Sequence, residues 1–395
     1  ASDVYKRQGL QIMCGIAGFV NDMPIDVKCP VLQRMTDMIA HRGPDSEGHY
    51  IDEHAALGHR RLSIIDLGGG QQPIYNEDGS KVITFNGEIY NYQTLREELI
   101  AAGHTFTTKS DTEVLLHGYE QWGVDLLQRV RGMFTFVIWD KNKQELFGAR
   151  DHFGIKPFYY AKMNGTFMYA SEIKSLLRHP DFVKELNAEA LKPYMTFQYP
   201  AIGETFFKGV YKLPEGHYFT YRDGKMDIHR YYDEDFREGK QKLGELVNSI
   251  DQTVCDSVKA HQIADVEVGS FLSSGVDSSY VAAVARPQHT YSIGFGKGTY
   301  NESQQAGELA ELLKLNNTAE SLTDEEAFAA FPRIQWHLDE PDSNPSCVPL
   351  YFLSALAAKD VKVVLSGEGA DELFAGYIDY GVHTKFRPIK VVTRW

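Results

Sequence analysis

The 395-residue sequence predicts two folds in series: antiparallel sheets packed between helices, then a parallel α/β sheet with helices on both faces. Three observations point there. The length is two to three times that of a typical domain of ~150 residues. Up to about residue 230, short aromatic and β-branched runs are separated by turn clusters, the mark of antiparallel hairpins. Beyond that point strands and helices alternate, the mark of a parallel sheet with crossover helices.

Residues 1–12 match nothing expected ahead of such a domain and read as a foreign leader, so native translation is expected to begin at Met13. Met13-Cys14-Gly-Ile-Ala-Gly-Phe19 opens the first strand. One helix is predicted from about Tyr92 to Ala102, stopped by Gly103; another opens at Ser110, with Glu113 completing a capping box, and stops at Gly123. The runs Met133 to Trp139, Glu145 to Ala149 and Thr166 to Ala170 read as hairpin strands, and a last hairpin turns at Arg222-Asp-Gly-Lys225. The polar stretch 232–242 reads as a linker. After it, Leu243, Val247, Ile250, Val254 and Val258 form a helical stripe. Strands are predicted at Val266 to Leu272, His289 to Phe295 and Val361 to Leu365, with helices at Asp277 to Ala285, Glu302 to Leu313 and Ser346 to Lys359.

Composition excludes several function classes. With 54 acidic against 40 basic residues the formal charge is −14, so phosphate backbones are repelled and no nucleic-acid partner is expected. No run of about 20 apolar residues and no secretory signal is present, so no membrane partner is expected and the reading is cytoplasmic. Four cysteines, at 14, 29, 255 and 347, are scattered without disulfide or zinc spacing, and His41, His59, His104 and His117 show no metal-like spacing either.

Ligands of parallel sheets bind at the carboxyl ends of strands. Ser273-Ser-Gly-Val-Asp-Ser-Ser279 follows one predicted strand and precedes a helix, where small residues, hydroxyls and a helix N-terminus suit a phosphate group. Asp277 inside it suits a magnesium ion bridging to pyrophosphate oxygens. Leu365-Ser-Gly-Glu-Gly-Ala-Asp-Glu372 repeats the design after another strand, so Asp277 and Asp371 are expected around one metal–pyrophosphate unit, with Glu368 as general base. At the other end, a small residue after Met13 suits aminopeptidase trimming, which would give Cys14 a free α-amine. An amine of pKa ~7.7–8 can take the thiol proton, so Cys14 would carry its own base.

Phe271-Leu-Ser-Ser-Gly-Val-Asp-Ser-Ser279 resembles the pyrophosphate loop of ATP pyrophosphatases, with Ser274 where the usual loop has glycine. Together with Leu365-Ser-Gly-Glu-Gly-Ala-Asp-Glu-Leu-Phe-Ala-Gly-Tyr377 it resembles the glutamine-hydrolysing asparagine synthetases. His41-Arg-Gly-Pro-Asp45, Arg61-Leu-Ser-Ile-Ile65, Asn86-Gly-Glu-Ile-Tyr-Asn91, Ser110-Asp-Thr-Glu113 and Arg150-Asp-His-Phe-Gly-Ile-Lys-Pro157 resemble the glutaminase domain of class II amidotransferases.

The resemblance implies a four-layer αββα sandwich of the N-terminal-nucleophile hydrolase type over residues 14–228 and an ATP-pyrophosphatase domain over 240–395, C-terminally incomplete because relatives continue with a further stretch holding a phosphate-contacting lysine. It implies that Arg61 binds the glutamine α-carboxylate and Asp111 its ammonium, with Leu62, Ser63, Ile64, Ile65 and Glu88 completing the pocket and Asn86 and Gly87 forming the oxyanion hole. ATP would lie on Phe271, Leu272 and Ile293 beside Ser366 and Gly367, its pyrophosphate on Ser273, Ser274, Gly275 and Ser278. Arg42 to Asp45 reads equally as a plain turn, and Arg150–Asp151 as a structural ion pair. Asp339 to Pro349 falls where relatives build the acceptor pocket, and the implied acceptor is aspartate. Another carboxylate such as a polysaccharide sugar acid, a β-lactam-forming relative, and a silent scaffold on the same fold are the alternatives. A homodimer is implied as well.

Overall fold

The computed structural model describes residues 13–235, 239–295 and 303–377, so the predicted leader lies outside the described residues. The chain runs β1 (Gly15–Val20), α1 (Ile25–Asp37), β2 (Ser46–Ile51), β3 (Ala55–Arg61), β4 (Ile74–Tyr75), β5 (Lys81–Ile89), α2 (Tyr92–Ala101), α3 (Asp111–Trp122), β6 (Gly132–Asp140) and β7 (Glu145–Arg150). It continues through β8 (Tyr159–Met163), β9 (Thr166–Ala170), the short α4 (Ile173–Leu176) and α5 (Leu191–Phe197), then β10 (Val210–Lys212), β11 (His217–Arg222) and β12 (Lys225–Arg230).

These strands make two six-stranded sheets, ordered β10-β8-β9-β1-β3-β2 and β12-β11-β7-β6-β5-β4. The two-residue side-chain period of the strands builds the layers. In β1, Ile16 points between the sheets while Ala17 and Phe19 pack outward on Val31, Leu32 and Met35 of α1. In β6, Val137 and Trp139 fill the space between sheets, whereas Phe134, Phe136 and Ile138 face Leu95, Leu99, Val114 and Leu115 of α2 and α3. Each such side chain, fully buried, stabilises by roughly 1.5–3 kcal/mol. The result is the expected αββα sandwich.

The second half holds α6 (Leu243–Ala260), β13 (Val268–Phe271), α7 (Val276–Ala285), β14 (His289–Phe295), α8 (Ser303–Leu313), β15 (Asn316–Leu322), α9 (Asp324–Leu338), α10 (Cys347–Ala357), β16 (Val363–Leu365) and α11 (Ala370–Phe374). Its sheet, β15-β14-β13-β16, is parallel throughout, as the alternation predicts. β13 sits between β14 and β16, so the two acidic loops leave adjacent strand ends. Two elements are absent from the sequence prediction. β15 is polar and largely exposed, so it shows no apolar alternation. α9 is announced only by the Thr323–Glu326 capping box.

The predicted capping box at Ser110 forms by half. Ser110 Oγ accepts from the Thr112 N–H at 3.2 Å, but Glu113 turns to the amides and hydroxyls of Thr107 and Thr108 at 2.6–2.9 Å. Four donors outweigh the single Ser110 N–H, which donates to Thr108 Oγ1 instead.

The halves meet through specific contacts. Asp265 accepts from the Asp66 N–H at 2.8 Å and donates its own N–H to Ile64 O at 2.9 Å; Lys362 pairs with Asp45 at 2.7 Å. Deeper in, Lys174 is salt-bridged to Glu172 at 2.5 Å and to Asp339 at 2.9 Å, all three side chains under 10% exposed.

Candidate active sites

β1, β3, β5 and the start of α3 converge on one cavity of about 170 Å³ lined by Cys14, Arg61, Leu62, Ile64, Ile65, Asn86, Gly87, Glu88 and Asp111. Of the glutamine-binding residues expected from sequence, Ser63 alone is not in the lining; its N–H is held by Asp45 at 2.9 Å. Cys14 Sγ accepts from the Leu62 N–H at 3.3 Å, and its carbonyl accepts from Arg42 Nε at 3.1 Å. Burial pushes the thiol up to about 11, so the sulfur is protonated at neutral pH and attack requires a base beside it.

Asn86 and Gly87 lie mid-strand in β5, paired with Thr135 and Phe134 of β6. Both polar atoms of the buried Asn86 amide lack a hydrogen-bond partner. An orphan amide in a dry strand costs free energy unless something arrives to use it, so this side chain is preorganised for a developing charge. Gly87 is required by packing: a Cβ there would come 2.2 Å from Met133 O.

Arg61 Nη2 donates to Ile65 O and Asp66 O at 3.1 and 2.7 Å, which fixes the guanidinium at the rim of the cavity. Asp111, at the first position of α3, accepts from the Ile89 N–H at 3.0 Å, yet burial raises its carboxyl to about 6. Burial likewise raises Glu88 to about 7, with Asp111 adding repulsion and Lys156 opposing it. The site therefore carries buried acids that a bound ammonium would hold charged, opposite a fixed guanidinium: the complement of an α-amino acid.

Sequence reasoning gave no role to Lys156, Gln72 or Met133, which also line this cavity. Lys156 stands inside a quoted motif but is buried by tertiary packing that no local pattern announces. The neighbouring Arg150 and Asp151 are structural: Arg150 donates to the carbonyls of Gly154, Lys156 and Leu213, and Asp151 accepts from the amides of Phe134, Phe153, Ile155 and Lys156. Arg42 is more than a turn residue. It bridges Cys14 O and Glu172, whose carboxylate, despite burial, is held well below its usual range by His41, Arg42 and Lys174.

The same cavity is lined on its far side by Phe271, Ser354, Ala357, Ala358, Val361 and Lys362 of the second half, so the Cys14 site opens toward β13, α10 and β16. A second cavity, of about 710 Å³, shares Phe271 with the first; this is within the roughly 300–1,000 Å³ of ligand pockets. Eight residues expected at the nucleotide site line it: Phe271, Leu272, Ser273, Ser278, Ile293, Ser366, Gly367 and Glu368. Ser274 and Gly275, on the loop beside it, and Asp277, in the first turn of α7, do not line it, and Asp371 also lies outside the lining, its carboxylate against Gly376. The two loops touch, since a Cβ on Gly367 would come 2.8 Å from Asp277 Cβ. In the acceptor segment, Asp339 and Glu340 are spent on docking, to Lys174 and to the Phe206 N–H at 3.1 Å, while Ser346 and Pro349 face the second cavity.

Comparison with known families matches residues 13–232 to the glutamine amidotransferase domain and residues 249–390 to asparagine synthase. The chain is 44% identical over 386 residues to asparagine synthetase [glutamine-hydrolyzing] 1 of Bacillus subtilis, covering 96% of this chain and 61% of that protein. It is 39% identical over 410 residues to a putative asparagine synthetase [glutamine-hydrolyzing] of Mycobacterium tuberculosis, covering 95% and 62%. With a putative asparagine synthetase [glutamine-hydrolyzing] 2 of Methanocaldococcus jannaschii the identity is 34%, covering 93% of this chain and 76% of the relative. The chain thus spans about three fifths of the length of the first two relatives. A sandwich that aims a cysteine, an orphan amide and buried acids into one cavity, joined to a parallel sheet with two acidic strand-end loops, places this chain in the family of glutamine-hydrolysing asparagine synthetases.

Proposed function

We propose that the protein of which this chain forms part makes asparagine from aspartate, glutamine and ATP in the cytoplasm, as a homodimer, with glutamine hydrolysis at Cys14 supplying the nitrogen. The observation that carries this reading is the shared cavity: its walls hold Cys14 on one side and Phe271, Ala357 and Val361 on the other. Ammonia released at Cys14 would leave through this cavity toward the second sheet.

Glutamine binds with its α-carboxylate on Arg61 and its ammonium on Asp111, which aims the side-chain amide at Cys14. The Cys14 thiol attacks the amide carbon and its proton passes to the Cys14 α-amine, freed when Met13 is removed; the thiol, raised by burial, needs that base. The Asn86 side-chain amide and the Gly87 N–H take the oxyanion. Collapse expels ammonia and leaves a γ-glutamyl thioester, which water cleaves to glutamate. In the second cavity an aspartate β-carboxylate oxygen attacks the α-phosphorus of ATP and pyrophosphate leaves; Ser273 and Ser278, which line the cavity, would hold it together with Ser274 and Gly275 of the same segment. Mg2+ would be held by Asp277 and Asp371, carboxylates from the two loops that touch at Gly367, and when bound neutralises pyrophosphate charge. Ammonia displaces AMP from the acyl-adenylate, and Glu368, in the cavity lining, takes a proton.

The test is to incubate the full-length enzyme with aspartate, glutamine and ATP. Asparagine with AMP and pyrophosphate is the expected outcome. ADP instead of AMP would overturn the adenylation step, and amidation of a sugar acid in place of aspartate would overturn the acceptor.

A further inference from the structure

On the outer helix layer of the sandwich, outside the lining of either cavity, two histidines and two carboxylates converge from separate segments: Glu77 in the β4–β5 turn, His104 in the α2–α3 loop, and His117 and Glu120 on α3. Their donor atoms all lie within 4.8 Å of one another. His117 Nδ1 is 3.1 Å from Glu120 Oε2 and 3.4 Å from Glu77 Oε2, and His104 Nδ1 is 3.5 Å from Glu77 Oε1. A tetrahedral zinc with bonds of ~2.0–2.1 Å has ligand-to-ligand edges of ~3.3 Å, which these three separations approach, and small side-chain shifts would draw in the remaining donors, already within 4.8 Å.

The surroundings are built in the same sense. The outer nitrogen of each imidazole faces an acceptor: His117 Nε2 is 3.6 Å from Glu113 Oε1 and His104 Nε2 is 3.2 Å from Gln121 Oε1. The Gln121 carboxamide, accepting from His104 Nε2, leaves Nδ1 of that ring facing the cluster, while Glu113 lies by His117 Nε2 at ion-pair rather than hydrogen-bond distance. Glu113 is itself anchored by Thr107 and Thr108, Glu120 accepts from Asn76 Nδ2 at 2.7 Å, and Glu77 accepts from the Thr105 N–H at 3.1 Å. The His117 side chain is 1% exposed and points Nδ1 into the cluster, while Glu77 at 39% leaves an entry path. Two carboxylates and two neutral imidazoles would balance a dication.

We propose that Glu77, His104, His117 and Glu120 form a binding site for a divalent transition-metal ion of the zinc class, clipping two surface loops onto α3, the helix that carries Asp111. The sequence concealed it because the ligands come from three segments with no short spacing between them.

The experiment is a titration of metal-stripped, full-length protein with Co2+, followed by displacement with Zn2+. Wild type should bind one Co2+ with the intense visible bands of a tetrahedral site, and Zn2+ should abolish them. His104→Gln and Glu77→Gln, both at surface positions, should weaken binding by more than the ~10–100-fold that loss of an outer partner costs, and Gln121→Leu by about that amount. Glutamine hydrolysis measured alongside confirms that the variants fold. No tetrahedral Co2+ signal in wild type, or an undiminished signal in folded His104→Gln, would overturn the proposal.

Discussion

The two halves hold their functional groups in different ways. Around Cys14, the side chains are buried and each is fixed by a different element: Arg61 by the 65–66 carbonyls, Asp111 by β5, Cys14 by Leu62 and Arg42. Around Ser273 the groups sit on one exposed turn, with Ser274 and Gly275 open to solvent and much of the order supplied from within the turn, as in the 2.8 Å contact of Ser273 Oγ with Ser278 Oγ. Groups fixed by many strands are preorganised by the core, whereas those on the exposed Ser273 turn at the edge of the second cavity depend more on a ligand for order.

The joint between the halves offers the largest perturbation. Lys174 neutralises Glu172 and Asp339 in a buried setting, and burial raises Asp339 to about 6 even so. Lys174→Met strips Asp339 of its cation and leaves Glu172 to Arg42 and His41, and should lower unfolding stability by ~3–5 kcal/mol in urea titrations. A loss under 1 kcal/mol would mean that the joint is held elsewhere.

Within the preorganised site, Asn86→Ala should reduce kcat for glutamine hydrolysis by roughly 10²–10³-fold with little change in KM. An effect confined to KM would make Asn86 a binding group instead. A milder dependence comes from Asp111. Its carboxyl, raised to about 6 by burial, must be ionised to meet the substrate ammonium, so kcat/KM for glutamine should fall about tenfold per pH unit below that value. Asp111→Asn should have low activity and lack this limb.

The contrast also explains what the sequence could disclose. Short-range chemistry was legible: the Ser273 and Leu365 loops and the Cys14 start fall where strand and turn patterns put them, whereas the Asn86-Gly87 pair was marked only by the family resemblance and lies mid-strand in β5. β14 was read to the residue, at His289–Phe295. Whatever depends on distant partners was not. Lys156 becomes a cavity residue only because tertiary packing buries it, and Arg42 reads as a turn until β1 and Glu172 lie beside it. Asp339, in a segment expected to shape the acceptor pocket, is drawn instead to Lys174, 165 residues earlier. His104 and His117 lacked metal-like spacing, yet folding sets their rings 5.1 Å apart.

The central claim is that Cys14 is an N-terminal nucleophile that becomes acylated. It is tested most directly by mixing the mature full-length enzyme with glutamine, quenching in acid during turnover and mapping the peptides by mass. The account predicts a chain beginning at Cys14 with a γ-glutamyl group on the sulfur of that residue. A turnover-competent enzyme whose first residue precedes Cys14, or a glutamyl adduct on any other side chain, would contradict it.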